Sequence, residues 1–181
     1  MRNARRNLAI GLLGSLLLLV TGCGRTSNEE KFANEVCSDI SDWQTQIKQA
    51  TDDVKAKLRS PQAGTLAGID ADIRSAADAT NTLASNLKSI KPPDSDEGTH
   101  AKQQLRAFSD KLSETTKAVT QTVASVPPDA SAAEAAQKLA PLAAELQSLA
   151  VSASTTFATL QASGESLKNG FQKAGSCKSL R

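Results

Sequence analysis

Four long segments of this chain place apolar or small residues at alternating intervals of three and four positions. This spacing averages about 3.5 residues and puts the repeating side chains on one face of an α-helix. No stretch of comparable length alternates with the period of two that a half-buried strand shows. The sequence therefore predicts an all-α fold. The four segments span residues 32–58, 66–90, 101–126 and 132–160.

The breaks between these segments are short and rich in proline and glycine. They fall at residues 59–64, 91–98 and 126–129, and proline ends a helix because it lacks an amide donor and clashes with the preceding turn. Ser27 with Glu30, and Ser131 with Glu134, have the spacing of capping boxes at helix starts. Four helices joined by short connections favour an antiparallel up-down-up-down four-helix bundle.

Two features of the fourth segment leave alternatives open. Pro141 lies inside the apolar pattern, so we expect either a kink there or a helix that begins near Ala140. The pattern extends to Leu167 and Phe171, but Gly164 and Gly170 interrupt it. Whether residues 164–175 continue the fourth helix is not decided by the sequence.

The N-terminus has the layout of an export signal. Three arginines, at positions 2, 5 and 6, precede an apolar run over 8–20, which is shorter than the roughly 20 residues of a membrane-spanning helix. Val20-Thr21-Gly22-Cys23 follows and resembles the bacterial lipobox. The resemblance covers residues 1–23 and implies cleavage before Cys23 and lipid on its sulfur. The alternatives to a lipoprotein signal are an ordinary secretory signal and an uncleaved anchor. The export route is also open, and is either the general secretory route or the twin-arginine route.

This interpretation divides the chain into a signal peptide at 1–22, a short tether at 23–26 and a helical domain at 27–181. The chain has 21 basic and 19 acidic residues, a formal charge of +2. The signal contains three arginines and no acid, so the mature part retains 18 basic and 19 acidic residues and a charge of −1. A surface without a basic excess does not favour a nucleic-acid partner.

Three cysteines are present. If Cys23 takes lipid, Cys37 and Cys177 remain in an oxidising compartment, where two thiols are expected to form one disulfide. In an up-down-up-down bundle the start of the first helix and the end of the last lie at the same end, so the geometry permits this bridge. The alternative is two free thiols.

The sequence offers little catalytic or metal-binding chemistry. His100 is the only histidine, and neither a zinc-like ligand spacing nor a nucleophile motif is present. Asp94, Asp96 and Glu97 lack the spacing of a calcium loop and suit the start of a helix. We therefore expect no enzyme activity, no metal and no cofactor.

The sequence favours a non-enzymatic binding module, held by lipid on the outer face of the cell membrane, or on an outer membrane if the host has one. Its partner is expected to be an envelope protein or polymer of unknown identity. The alternative is a ligand-binding or sensory bundle with a small apolar pocket between helices. Trp43, Phe108 and Phe157 are the residues expected to face such a pocket, although Trp43 also fits the core pattern.

Overall fold

The structure is a computed structural model that describes residues 26–60, 64–127 and 130–180. The signal peptide and Cys23 lie outside the described residues. Helix is the only regular secondary structure in the described ranges, which confirms the all-α prediction. Five α-helices and a terminal 3-10 helix follow one another: α1 Asn28–Arg59, α2 Thr65–Ser89, α3 Asp96–Ala124, α4 Ala132–Gln161, α5 Glu165–Lys173 and the 3-10 helix Gly175–Leu180.

Serine side chains cap the starts of three helices. The hydroxyl of Ser27 accepts the amide of Glu30, and the hydroxyl of Ser95 accepts the amide of Gly98. At Ser131 the complete capping box forms, because the carboxylate of Glu134 also accepts the Ser131 amide. These bonds satisfy amides that have no partner inside the helix.

The second helix begins in a different way, after a glycine. Gly64 has a φ of 84°, in the left-handed region that residues with a side chain rarely adopt. The last turn of α1 and the first of α2 are joined by Lys57, whose ammonium donates to the Gly68 carbonyl and pairs with Asp72. The end of α1 therefore lies beside the start of α2.

The fourth segment and its extension form two separate helices. The helix α4 starts at Ala132 and runs through Pro141 to Gln161, so a start near Ala140 is wrong. Residues 165–173 form the separate helix α5 rather than a continuation of α4.

A side chain from α3 accounts for this break. The carboxylate of Glu97 accepts the hydroxyl of Ser166 (2.5 Å) and the amide of Leu167 (3.3 Å), and so caps α5. A Cβ atom at Gly164 would overlap that carboxyl group, so glycine is needed for the close approach.

The predicted apolar positions of α1 and α2 are mostly buried, but α3 and α4 show a shift. In α3 the spacing by three and four residues from Ala101 includes Thr115 and Thr122, whereas Thr116 and Val123 are buried. In α4 the same spacing includes Thr156, whereas Phe157 is buried. A straight helix has 3.6 residues per turn, so a 3.5-residue track drifts across its face within a few turns. The shift therefore changes the core residues without changing the fold.

The buried side chains form two clusters. The larger contains both cysteines of the disulfide and all four phenylalanines, and the elements α1, α5 and the 3-10 helix pack together around it. The smaller lies where the end of α1 meets α2, α3 and α4, and consists of Val54, Ile69, Ile73, Val119, Val123, Ala135, Leu139 and Leu142.

Candidate functional site

A furrow runs between α1 and α2 on the described surface. One part, which we call the end groove, has a volume of about 790 Å³ and lies between the start of α1, the end of α2 and the loop 91–94. The other, the middle groove, has a volume of about 590 Å³ and lies farther along the same two helices. Asp39 and Asn86 line both parts, so the two grooves form one continuous furrow.

Asp39 stands at the junction of the two grooves and is half-buried. Its carboxylate accepts a hydrogen bond of 3.3 Å from the side-chain amide of Asn86. Burial raises the pKa of Asp39, and the hydrogen bond from Asn86 opposes this shift. Repulsion from the carboxylates of Asp42 and Glu35 raises the pKa of Asp39 further. The junction is thus a place where negative charge is costly.

Charged side chains of both signs line the furrow. The end groove contains Lys31 and Lys91 together with Glu35, Asp39 and Asp94. In the middle groove the acids exceed the bases, because Arg74 is the single cation in its lining. The guanidinium of Arg74 is also paired with Asp70 at 2.7 Å.

In the middle groove the carboxylates are Asp39, Asp42 and Asp78. This surface was not predicted from the sequence, although a signal for it was present. Glu35, Asp39 and Asp42 are spaced by four and three residues, which places three carboxylates on one face of α1. The furrow therefore favours an occupant with positive charge at its middle and mixed charge at its end.

The three aromatic residues expected to face a pocket do not share one. The exposed fractions of Trp43, Phe108 and Phe157 are 1%, 4% and 6%, and all three belong to the larger core cluster. Each borders a different depression: Trp43 the middle groove, Phe108 a groove between α3 and α4, and Phe157 a hollow beside the 3-10 helix. The indole N–H of Trp43 donates to Thr80 at 3.0 Å, so its polar atom is satisfied inside the core.

The structure joins Cys37 and Cys177 in a disulfide across 140 residues, which agrees with the pairing expected from the sequence. Both cysteines have an exposed fraction of 0%. Nearby, Asn34 accepts the amide and the hydroxyl of Ser176, at 3.1 and 3.0 Å. The C-terminal segment is thereby fixed to α1 by a covalent bond and by hydrogen bonds.

A smaller apolar groove lies at the other end of the helices. It has a volume of about 480 Å³ and opens between α2, α3 and α4, with Asp70 and Arg74 at its edge. Leu66 and Val126 are only partly buried here. Each lies at the end of a row of apolar residues and therefore has fewer neighbouring side chains to pack against. The apolar lining consists of Leu66, Ala67, Val123, Ala124, Val126, Pro127 and Leu139.

Within the described ranges no group of three or more His, Cys, Asp or Glu side chains is arranged to hold a metal ion. His100 is exposed, near the start of α3. Asp96 and Glu97 lie in the first turn of that helix, where the helix dipole favours acids.

Comparison with protein-family models, with characterised proteins and with solved structures finds no match to this chain. None of the helices in the described part is long and apolar enough to cross a membrane.

Proposed function

We propose that this protein is an exported lipoprotein that is cleaved before Cys23, carries lipid on that cysteine and binds an envelope protein or polymer without catalysing a reaction. The lipobox pattern Val20-Thr21-Gly22-Cys23 and its upstream context support the lipid anchor. The furrow between α1 and α2 is the observation that supports the binding role.

We further propose that the four long helices form an up-down-up-down bundle. Three pairs of cross-helix contacts support this topology. They are Asn86–Asp39 with Lys57–Gly68 between α1 and α2, Lys88–Asp110 with Lys102–Ile90 between α2 and α3, and Lys111–Ser152 with Gln104–Ser163 between α3 and α4. In each pair, the contact made later in one helix involves the earlier position in the next helix, which is the signature of antiparallel neighbours.

The middle groove is the part of the furrow that we assign to the partner. The interior is packed and the three candidate aromatic residues are buried. A partner would therefore bind at the surface. Its carboxylates on α1 and α2 favour a cationic segment of the partner, because complementary charge speeds association and selects the partner. The partner class, an envelope protein or polymer, remains as the sequence suggested, and nucleic acid is not expected.

The lipid anchor is tested by intact-mass measurement of the full protein recovered from membranes. The expected mass is that of residues 23–181 with lipid added, and Cys23→Ser should leave the protein in the soluble fraction. An uncleaved N-terminus, or an unmodified Cys23 on a protein that is not membrane-bound, contradicts the anchor.

The binding role is tested by crosslinking the native lipoprotein in its membrane and identifying what is captured. The double variant Asp42→Lys/Asp78→Lys reverses charge inside the middle groove and should lose the captured partner. The matched control Asp53→Lys/Glu114→Lys makes the same charge change at exposed positions outside the furrow and should retain it. Equal capture by both variants would exclude the furrow as the binding surface.

The apolar groove at the far end supports the alternative function, a ligand-binding or sensory bundle. Its volume lies within the range of small-molecule sites, and its walls are aliphatic. If it binds a ligand, an apolar envelope extract should raise the melting temperature of the wild type. Ala67→Trp, which fills the groove, should abolish that rise, whereas an equal rise in both proteins argues against this function.

A further inference from the structure

We propose that the end groove binds the headgroup of a glycerophospholipid in the bilayer that holds the lipid anchor. This inference rests on the proposed lipidation of Cys23. It assigns the two halves of the furrow to different occupants, with lipid in the end groove and the envelope partner in the middle groove.

The chain between the proposed anchor and the end groove is short. Asn28 lines the end groove and is separated from Cys23 by five residue steps. Five residues span at most about 17 Å when fully extended. The headgroup layer of one leaflet is about 5–8 Å deep, so the anchor keeps the groove within reach of the bilayer surface.

The charges on the walls of the end groove suit a phospholipid headgroup. Lys31 and Lys91 are exposed, and neither forms an ion pair with another described residue. Two such ammonium groups are suited to a phosphate, which lysine binds as a compact charge. Glu35, Asp39 and Asp94 line the same groove and are suited to an amine on the headgroup. A phosphate with an amine or hydroxyl substituent matches these walls better than a group with a single charge.

Apolar side chains lie beneath these charges. Phe32, Ile90 and Pro93 line the groove and are buried, so its floor is apolar. An apolar floor lowers the local dielectric and strengthens charge interactions at the groove surface. It also provides contact for the glycerol backbone and the first methylene groups of a lipid. The groove therefore offers a polar wall and an apolar floor, as a lipid at the membrane interface requires.

The test uses the full lipidated protein in nanodiscs of phosphatidylethanolamine and phosphatidylglycerol. A photo-crosslinking residue replaces Ser38, which is exposed and lines the end groove. The matched position is Ser179, which is exposed, lies outside the groove and contacts Ser41, one helical turn from Ser38. Mass spectrometry then measures lipid adducts. We expect adducts at position 38 and a much lower yield at position 179.

A charge reversal provides the second measurement. Lys31→Glu/Lys91→Glu should lower the adduct yield at position 38 by about fivefold, the effect of losing two exposed charge contacts. Lys31→Gln/Lys91→Gln should give a smaller loss in the same direction. The control Lys55→Glu/Lys117→Glu changes exposed lysines outside the groove and should leave the yield unaltered.

The outcomes separate this inference from the proposed function. An intact mass without lipid on Cys23 overturns both proposals. A lipidated mass with equal adducts at positions 38 and 179 overturns only the headgroup site. The same holds if the yield is insensitive to the charge reversal, or if position 38 captures a protein instead of lipid in native membranes.

Discussion

Trp43 and Thr80 are joined inside the core by a hydrogen bond of 3.0 Å from the indole N–H to the threonine hydroxyl. That hydroxyl in turn donates to the carbonyl of Ala76 at 2.7 Å. The bond links α1 to α2 and gives the only tryptophan of the chain a structural partner. It explains why a residue expected to face a ligand is instead part of the packing.

Replacing Thr80 with valine should therefore destabilise the protein. The substitution keeps the volume of the side chain but leaves a buried indole N–H without an acceptor, which costs about 1–3 kcal/mol. Urea unfolding followed by tryptophan fluorescence measures the loss. Thr80→Ser retains the hydroxyl and should be closer to the wild type. If valine and serine are equally stable, the bond does not contribute as described.

Removing the disulfide should produce the largest loss of stability. The bridge closes a loop with a sequence separation of 140 residues, and loop-entropy models give up to about 5 kcal/mol for such a closure. Cys37→Ala/Cys177→Ala should lower the free energy of unfolding, measured by urea denaturation, by a similar amount. In strong reductant the wild type should approach the variant. If the stability difference between wild type and variant persists in reductant, it comes from lost packing rather than from the disulfide.

Glu97→Gln should loosen α5. The hydroxyl of Ser166, together with backbone amides at the start of α5, holds the pKa of Glu97 below its usual range. A lowered pKa means that this contribution to stability is complete at neutral pH and is lost as the pH falls below the usual glutamate range. Hydrogen exchange of residues 165–173 at pH 7 should be faster in Glu97→Gln.

The same experiment at acidic pH provides the control for this interpretation. Once Glu97 is protonated in the wild type, the two proteins should exchange at similar rates. Gly164→Ala should also speed exchange in α5, because its Cβ would displace the Glu97 carboxylate. Unchanged exchange in both variants would show that Glu97 does not hold the helix.

Asp39→Asn should stabilise the protein at neutral pH. Burial, the largest cause, raises the pKa of Asp39, so the folded state binds a proton more tightly than the unfolded state. The wild type should then gain stability relative to the variant as the pH falls from 7 toward the usual aspartate range. The bond from Asn86 can persist, because an asparagine oxygen also accepts. A stability difference independent of pH would rule out Asp39 as its source.

The sequence predicted the helices better than their details. Spacing by three and four residues follows directly from helix geometry, so the all-α class and most buried positions of α1 and α2 could be predicted. Because the track drifts by a fraction of a residue per heptad, Phe157 rather than Thr156 faces the core. The spacing does not indicate at which turn the buried face shifts, because tertiary packing decides this.

The candidate site was harder to predict because it depends on contacts between distant residues. Asp39 and Asn86 are 47 positions apart, and only the packing of α1 on α2 makes them neighbours. The cap on α5 is of the same kind, since Glu97 and Leu167 are 70 positions apart. The cysteines were an exception, because the proposed export and the proposed lipid on Cys23 leave two thiols, which restricts their pairing before any fold is known.

The division of the core into two clusters has a consequence for how the molecule opens. At the edge of the larger cluster, one helical turn from Val54 and Ile73 of the smaller one, the helices contribute the small side chains of Ala50 and Ala76. The larger cluster is closed by the disulfide, whereas the smaller one lies beyond that covalent bond. We therefore expect the smaller cluster to open and close many times while the larger, disulfide-linked cluster stays folded. A partner that pulls on the end with the smaller cluster would then unfold that cluster before the whole domain unfolds.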